Sequence, residues 1–468
     1  MAQHAWEKKH ELRHPLPVTD ILWNPAGDKV IVTCRSTAGE TSEEFSDQCF
    51  VWNLATERCE FSFPNHDCQP LWSPDGRFIA RTKANGTGVL LAADTGEVVH
   101  TFGLTTRYRV SEALVWHPSG GQFAAFGKHE VWDDDGDDKV FPSNSWVLFD
   151  VESQRPLFHV KGGFRGWDAS GAKFATQESG CIVLWDAVNL QETAVIDGDV
   201  LEGWSPDGRR VVTMTSGDEP ATMLWDTESG ECLARCSLDT YTCTWSGDSS
   251  RVLVSGKGQP SDRFTYYVWD SRTGNTIFEH ASRYPEAGGL SYMSPGCGAG
   301  LSPDGTKLAC YECWCFWDST ETADAGLGDQ EIEDDDRVYI HDLETGVQHH
   351  LFDDCNASTW SPDGTMIATC EGYSDHSINV RRVTTGEDVR RIVTSSFETW
   401  SPGNRLTCFP SDGDSVFEIW DPWEGVMLAQ IPTGPKPGQL REVAWNSNGE
   451  LVGLDVGNGT VEVWSESA

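Results

Sequence analysis

Residues 359–364 read TWSPDG, and close copies stand at 72–76 (WSPDG), 204–208 (WSPDG) and 301–305 (LSPDG). One copy is an ordinary β-turn: Pro presets φ, Asp bonds its own backbone and Gly accepts the positive φ that ends the turn. Many copies mark a repeat. Aligning on the residue before the turn gives ten anchors: Trp23, Trp72, Trp116, Trp167, Trp204, Trp245, Leu301, Trp360, Trp400 and Trp445. They are spaced 37 to 59 residues apart, too irregular for a rigid solenoid.

Within each unit the pattern is one of short apolar runs rich in β-branched residues, bounded by Gly, Asp and Ser. Unit five shows it: the anchor at Trp204, then RRVVTMT, a polar gap, TMLWD, the turn TESG and ECLARC. The run before each anchor, such as ALVW at 113–116, supplies one more strand. Four strands per unit, ten times over, predict an all-β fold: a single large β-propeller of about ten four-stranded blades spanning 1–468. Nine blades are the alternative, since the inner strand of unit seven lies in the glycine-rich GCGAG (296–300).

The third run of several units ends in Trp-Asp, at 185–186, 225–226, 269–270 and 420–421, with weaker forms at 52–53, 149–150, 341–342 and 464–465. With the turns that follow, such as LETG at 343–346 and TTGE at 384–387, the chain resembles the WD-repeat family over nearly its whole length. That family's Gly-His dipeptide is absent from every unit, so its Asp–His–Ser–Trp network is not carried over. The resemblance implies a ring closed by the first strand of the chain. Unit ten supplies only three strands, and AWEKKHELR (5–13), within residues 1–14, is the strand expected to complete it. Nine Trp and one Leu are then structural wedges between blades, each contributing about 3 kcal/mol by burial.

Composition bounds the function. With 73 acidic and 34 basic residues the formal charge is −39, a surface that repels phosphate backbones and anionic lipid. No nucleic-acid or membrane partner is expected, and proteins, some with basic surfaces, are. The N-terminus lacks an apolar signal core. Fifteen cysteines without even spacing read as free thiols, which favours the cytoplasm, with the nucleus as alternative.

Four insertions fall where a propeller places them on one face: 36–48, 133–145 and 319–336 between second and third strands, and 280–296 after a fourth strand. Long loops on a rigid scaffold carry binding. Their acidic and aromatic residues are the candidate interaction set: Glu43, Phe45, Asp134, Asp135, Phe141, Tyr284, Tyr292, Glu331 and Asp335. DDDGDD (133–138) is out of frame for a calcium loop, because aligning Gly136 puts Val131 at the first ligand position, so it reads as solvated charge. On a strand Cys313 and Cys315 share one face while Cys310 points to the other, so a zinc site would need a bend and a fourth ligand such as Cys297, and the three read as buried thiols. No nucleophile elbow, phosphate loop, zinc helix or dinucleotide fingerprint occurs. The expectation is a non-catalytic interaction scaffold without cofactor or metal. The alternatives are an enzyme or small-ligand binder using the central channel, or a propeller like those of translation initiation factors.

Overall fold

The computed structural model describes residues 6–35, 47–65, 69–82, 87–103, 114–127, 130–132, 138–140, 145–217, 219–258, 263–283, 299–312, 337–353, 355–371, 377–393, 396–409, 416–432, 443–457 and 459–467. Among these are ten antiparallel four-stranded sheets and one separate hairpin. Each sheet is a blade, and in nine of them the four strands follow one another along the chain, interrupted only by the hairpin in blade 3. Blade 1 consists of Val18–Trp23, Lys29–Cys34, Asp47–Asn53 and Arg58–Asn65. Unit seven forms a full blade from Ala299–Leu301, Lys307–Glu312, Arg337–Asp342 and Gln348–Asp353, so the ring has ten blades rather than nine.

All ten anchors end the first strand of their blade. The next residue is a hydrogen-bonding side chain in every blade, and its buried position explains why Trp-Ser recurs. Ser205, 1% exposed, donates through Oγ to Asp207 Oδ1 at 2.6 Å and accepts from the Arg210 N–H at 2.9 Å. Asp207 in turn accepts from the Arg209 N–H at 3.0 Å. The same arrangement holds at Ser73, Ser246, Ser302 and Ser361. Asn24 and Asn446 do the work in blades 1 and 10 with a carbonyl oxygen. Turn donors that would otherwise be buried unpaired are thereby satisfied.

The anchors also stitch neighbours together. Trp72 Nε1–H donates to Leu22 O at 3.3 Å, Trp360 to Gly300 O at 2.9 Å and Trp400 to Thr359 O at 3.4 Å. Each acceptor is the residue just before the previous blade's anchor. Trp23 makes the same bond to Ala444 O, at 2.9 Å, which joins blade 1 to blade 10. Closure of the ring therefore uses the bond that links blades within it. The indole N–H groups of Trp116, Trp167, Trp204, Trp245 and Trp445 are buried without a partner among the described residues, so these anchors act as apolar wedges. Gly300 lies under Trp360 and Gly203 under Trp245; a Cβ at either would sit 3.6–3.7 Å from the indole nitrogen.

The core is shared rather than enclosed. One cluster combines Ile31, Cys49 and Val51 of blade 1 with Trp72, Ile79 and Val89 of blade 2. Another combines Leu12, Ile21, Trp23, Val30 and Val32 with Val461 and Val463 of blade 10. A blade alone leaves half of such a cluster in water, which is why a repeat of this kind is stable only in company.

The N-terminal strand completes blade 10 as expected. Trp6–Arg13 pairs with Thr460–Glu466, from Trp6 opposite Glu466 to Arg13 opposite Thr460. In all ten blades the fourth strand carries one extra residue opposite the end of the third. In blade 4 it is Thr193, between Glu192 (opposite Trp185) and Ala194 (opposite Leu184). In blade 10 it is Lys9, between Lys8 (opposite Trp464) and His10 (opposite Val463). The strand from the other end of the chain thus reproduces the irregularity of the nine contiguous ones.

Third-strand tryptophans have their own partners. Trp185 Nε1–H donates to Thr176 Oγ1 at 2.9 Å and Trp225 Nε1–H to Thr213 Oγ1 at 2.8 Å. Trp420 and Trp464 use Glu418 and Glu462, both at 3.0 Å. Blade 8 has Arg381 in this place; it donates to Thr369, pairs with Asp388 at 2.6 Å and lies 4.4 Å over the Phe352 ring. The Asp that follows accepts two turn N–H groups, as Asp342 Oδ1 does from Thr345 at 2.8 Å and Glu344 at 3.1 Å. These bonds hold the Asp342 carboxyl below its ordinary range, and Asp186 likewise through Asn189.

Candidate functional site

Antiparallel connectivity gives the ring two unlike faces. On one, first strands turn to second and third to fourth through short links such as 24–28 and 54–57 in blade 1. This face is tied across blade boundaries. Asp207 N–H donates to Ser249 Oγ at 3.0 Å, Asp363 N–H to Asn404 Oδ1 at 2.9 Å, and Ser447 Oγ–H to Pro25 O at 3.1 Å. Basic side chains reach to the next blade here. Lys29 meets Asp94 at 2.6 Å, Lys173 meets Thr227 Oγ1 at 2.6 Å, Arg210 meets Ser271 O at 2.8 Å and Arg405 meets Glu466 at 3.3 Å. Cations are few in this chain, and these serve the seams.

The opposite face receives every long connection. The strands flanking 35–46, 128–144 and 313–336 are second and third strands; those flanking 284–298 and 433–442 are fourth and first. Blade 3 departs from the sequence expectation: its insertion contains a hairpin, Glu130–Trp132 paired with Asp138–Val140, where 133–145 reads as one loop. The nine candidate residues, Glu43, Phe45, Asp134, Asp135, Phe141, Tyr284, Tyr292, Glu331 and Asp335, lie outside the described residues, as do Cys313, Cys315 and Cys297. Cys310 is buried on the second strand of blade 7. Described cysteines are free thiols, and burial pushes Cys34, Cys49, Cys236 and Cys243 up to about 12, so they remain protonated at neutral pH. On the fourth strand of blade 7, His350 Nε2 lies 3.0 Å from Val383 O of blade 8.

The inner wall of the ring holds residues that sequence reasoning did not single out. First strands of neighbouring blades lie against one another. In six of them one residue is extruded from the pairing: Thr19, Arg165, Glu202, Tyr241, Asn356 and Glu398. Arg165, Glu202 and Tyr241 belong to three consecutive blades. Arg165 is exposed and hydrogen-bonds Gln177, Tyr241 is 50% exposed, and burial raises the Glu202 carboxyl above its usual range. The Glu202 carboxylate also acts on the Cys243 thiol of the next blade. A guanidinium, a carboxyl and a phenol so placed can bind a small polar molecule; the thiol, held protonated, is no nucleophile. A bulge is a backbone event, and only Gly166 and Gly203 just after two of these residues hint at it in sequence.

No family model matches the chain. Among solved structures, a crystal structure of a eukaryotic initiation factor is similar at TM-score 0.52 and 12% identity, over 82% of this chain and 93% of that one. The propeller of Dos1 is similar at TM-score 0.39 and 10% identity, over 99% and 95%. At 12% identity the initiation-factor likeness is one of fold, and this chain's own ten four-stranded sheets make it a ten-bladed β-propeller.

Proposed function

We propose that this chain is a non-catalytic protein-interaction scaffold of WD-repeat type, a single domain that engages a protein partner through its long-connection face. The observation that carries this reading is the asymmetry of the ring. One face is made of short, hydrogen-bonded turns, several of them tied across blade boundaries, while the chain departs from the repeat only on the other. Variable loops on a fixed frame are the arrangement that separates recognition from stability. The acid excess favours partners with basic surfaces, and a cytoplasmic setting fits the free thiols. The test is affinity purification of the wild type beside a variant with 133–145 and 319–336 shortened. A partner lost only from the variant supports the reading, and retention of every partner by the variant refutes it.

A second reading rests on Arg165, Glu202 and Tyr241, whose position on the inner strands favours a small polar ligand in the channel. A metabolite retained through purification by the wild type and lost from Arg165→Ala would support it over the scaffold. The initiation-factor reading has the fold likeness alone behind it.

A further inference from the structure

The ring is closed by a side chain as well as by a strand. His14 follows the N-terminal strand directly. Its backbone N–H donates to Gly459 O at 2.7 Å, and its Nδ1 lies 3.0 Å from the same carbonyl, in the turn before the last strand of the chain. Its Nε2 lies 2.8 Å from Trp52 Nε1, on the third strand of blade 1. An indole N–H can only donate, so Nε2 must be the acceptor and the single ring proton must sit on Nδ1, donated to Gly459. The imidazole packs against Phe50 and Trp52, with centroids 5.2 and 5.4 Å away, and the residue is 7% exposed. Gly459 is required there: its φ is +72°, and a Cβ would stand 2.4 Å from His14 O.

We propose that His14 is an acid-sensitive latch on the ring, holding the closing strand to blades 10 and 1 in the neutral state and releasing it when protonated. A second proton has one place to go, Nε2. It would turn the acceptor for Trp52 into a donor facing a donor, and would put a cation among aromatic rings. His14's partners among the described residues supply no compensating carboxylate: they are Gly459, Trp52 and Phe50.

The titratable groups on the surrounding elements are otherwise engaged. On its own strand, His10 pairs with Glu57 at 3.0 Å, Lys8 with Glu11 and Glu462, and Arg13 with Glu11. From blade 10, Asp455 accepts the Gly457 N–H at 2.8 Å, and Glu466 holds Arg405. From blade 1, Asp47 and Asp455 bear on Cys34 rather than on the imidazole. The other groups on these elements are Glu7 and Lys9, which pair with each other, Asp20, which accepts from Gln69 at 2.6 Å, Arg58, Lys29, which pairs with Glu60 and Asp94, and the Cys34 and Cys49 thiols.

Burial lowers the His14 pKa below its ordinary value, against a smaller opposite pull from the Gly459 carbonyl. The sign follows. An unfolded histidine takes up a proton below about pH 6.5 while the folded one resists, so stability is full above that pH and falls as pH drops toward the folded pKa.

Hydrogen–deuterium exchange of residues 6–13 in the full chain, corrected for intrinsic rates, tests this between about pH 7.5 and about pH 5.5. Protection should fall by up to about tenfold in the wild type, the ceiling for one histidine titrating near pH 6.5 when unfolded. The fourth strands of blades 4 and 5, which contain no histidine, should hold theirs. His14→Gln keeps a donor and an acceptor but does not titrate, so its protection should not respond to pH. If that variant does not fold, Trp52→Phe serves instead: it removes the opposing N–H, and the pH response should shrink. Equal wild-type protection at both pH values, or a response in the variants as large as in the wild type, would overturn the proposal.

Discussion

Deleting residues 1–14 tests the closed ring most directly, because it removes a strand and leaves the other thirty-nine blade strands intact. The strand contributes two large buried side chains, Leu12 at 1% and Trp6 at 9% exposure. Each large buried apolar side chain stabilises by about 3 kcal/mol, and the ladder bonds of the strand roughly offset the entropy of ordering it. The loss is then about 6 kcal/mol, and more if uncovering Val461 and Val463 loosens the sheet. For a chain of 468 residues the entropy of unfolding is about 1 kcal/mol/K, so the melting temperature should fall by about 6 °C in calorimetry. A control with Leu12→Ala alone should fall by about 3 °C. If the truncated protein melts with the full chain, the N-terminal strand does not hold the ring, and the shared-core account of its stability is wrong.

The two modes of anchor can be separated by a matched pair, since Trp360 and Trp245 are both half-buried over a glycine but only Trp360 donates. Trp360→Phe should cost about 1 kcal/mol more than Trp245→Phe in denaturant unfolding, and equal costs would deny the indole bond any role. Ser205→Ala strands the Arg210 N–H and should cost about 1–3 kcal/mol, with Ser205→Asn recovering part of it because Asn24 and Asn446 serve this position elsewhere. The depressed carboxyls of Asp186 and Asp342 contribute stability that is present above about pH 4 and lost as pH falls through their lower folded values. Asp342→Ala should therefore flatten the acid limb of a stability–pH curve, and an unchanged limb would show that its turn bonds do not matter.

The repeat was legible because its constraints are local. A turn needing Ser or Asn, then Asp and Gly, after a wedge that fits only a large ring leaves the same letters in almost every unit. Blade 8 shows where letters fail and chemistry persists: Arg381 stands where six blades have Trp, and it still donates to Thr369. The fourth-strand bulge was illegible because it is filled by Glu60, Thr193, Leu233, His349 or Lys9 indifferently. Recognition residues are harder still. The loop set chosen from sequence rests on acidity and aromaticity without a periodic frame, and Arg165, Glu202 and Tyr241 gain their placement from backbone extrusion and the adjacency of three blades.

The common bulge has one more consequence. Because the strand beginning at Trp6 fits its sheet as the other nine outer strands fit theirs, the molecule has no privileged starting point. A gene rearranged to join Ser467 to Trp6 through a short linker, and opened instead between Asp226 and Cys232, would encode the same wheel from a different spoke.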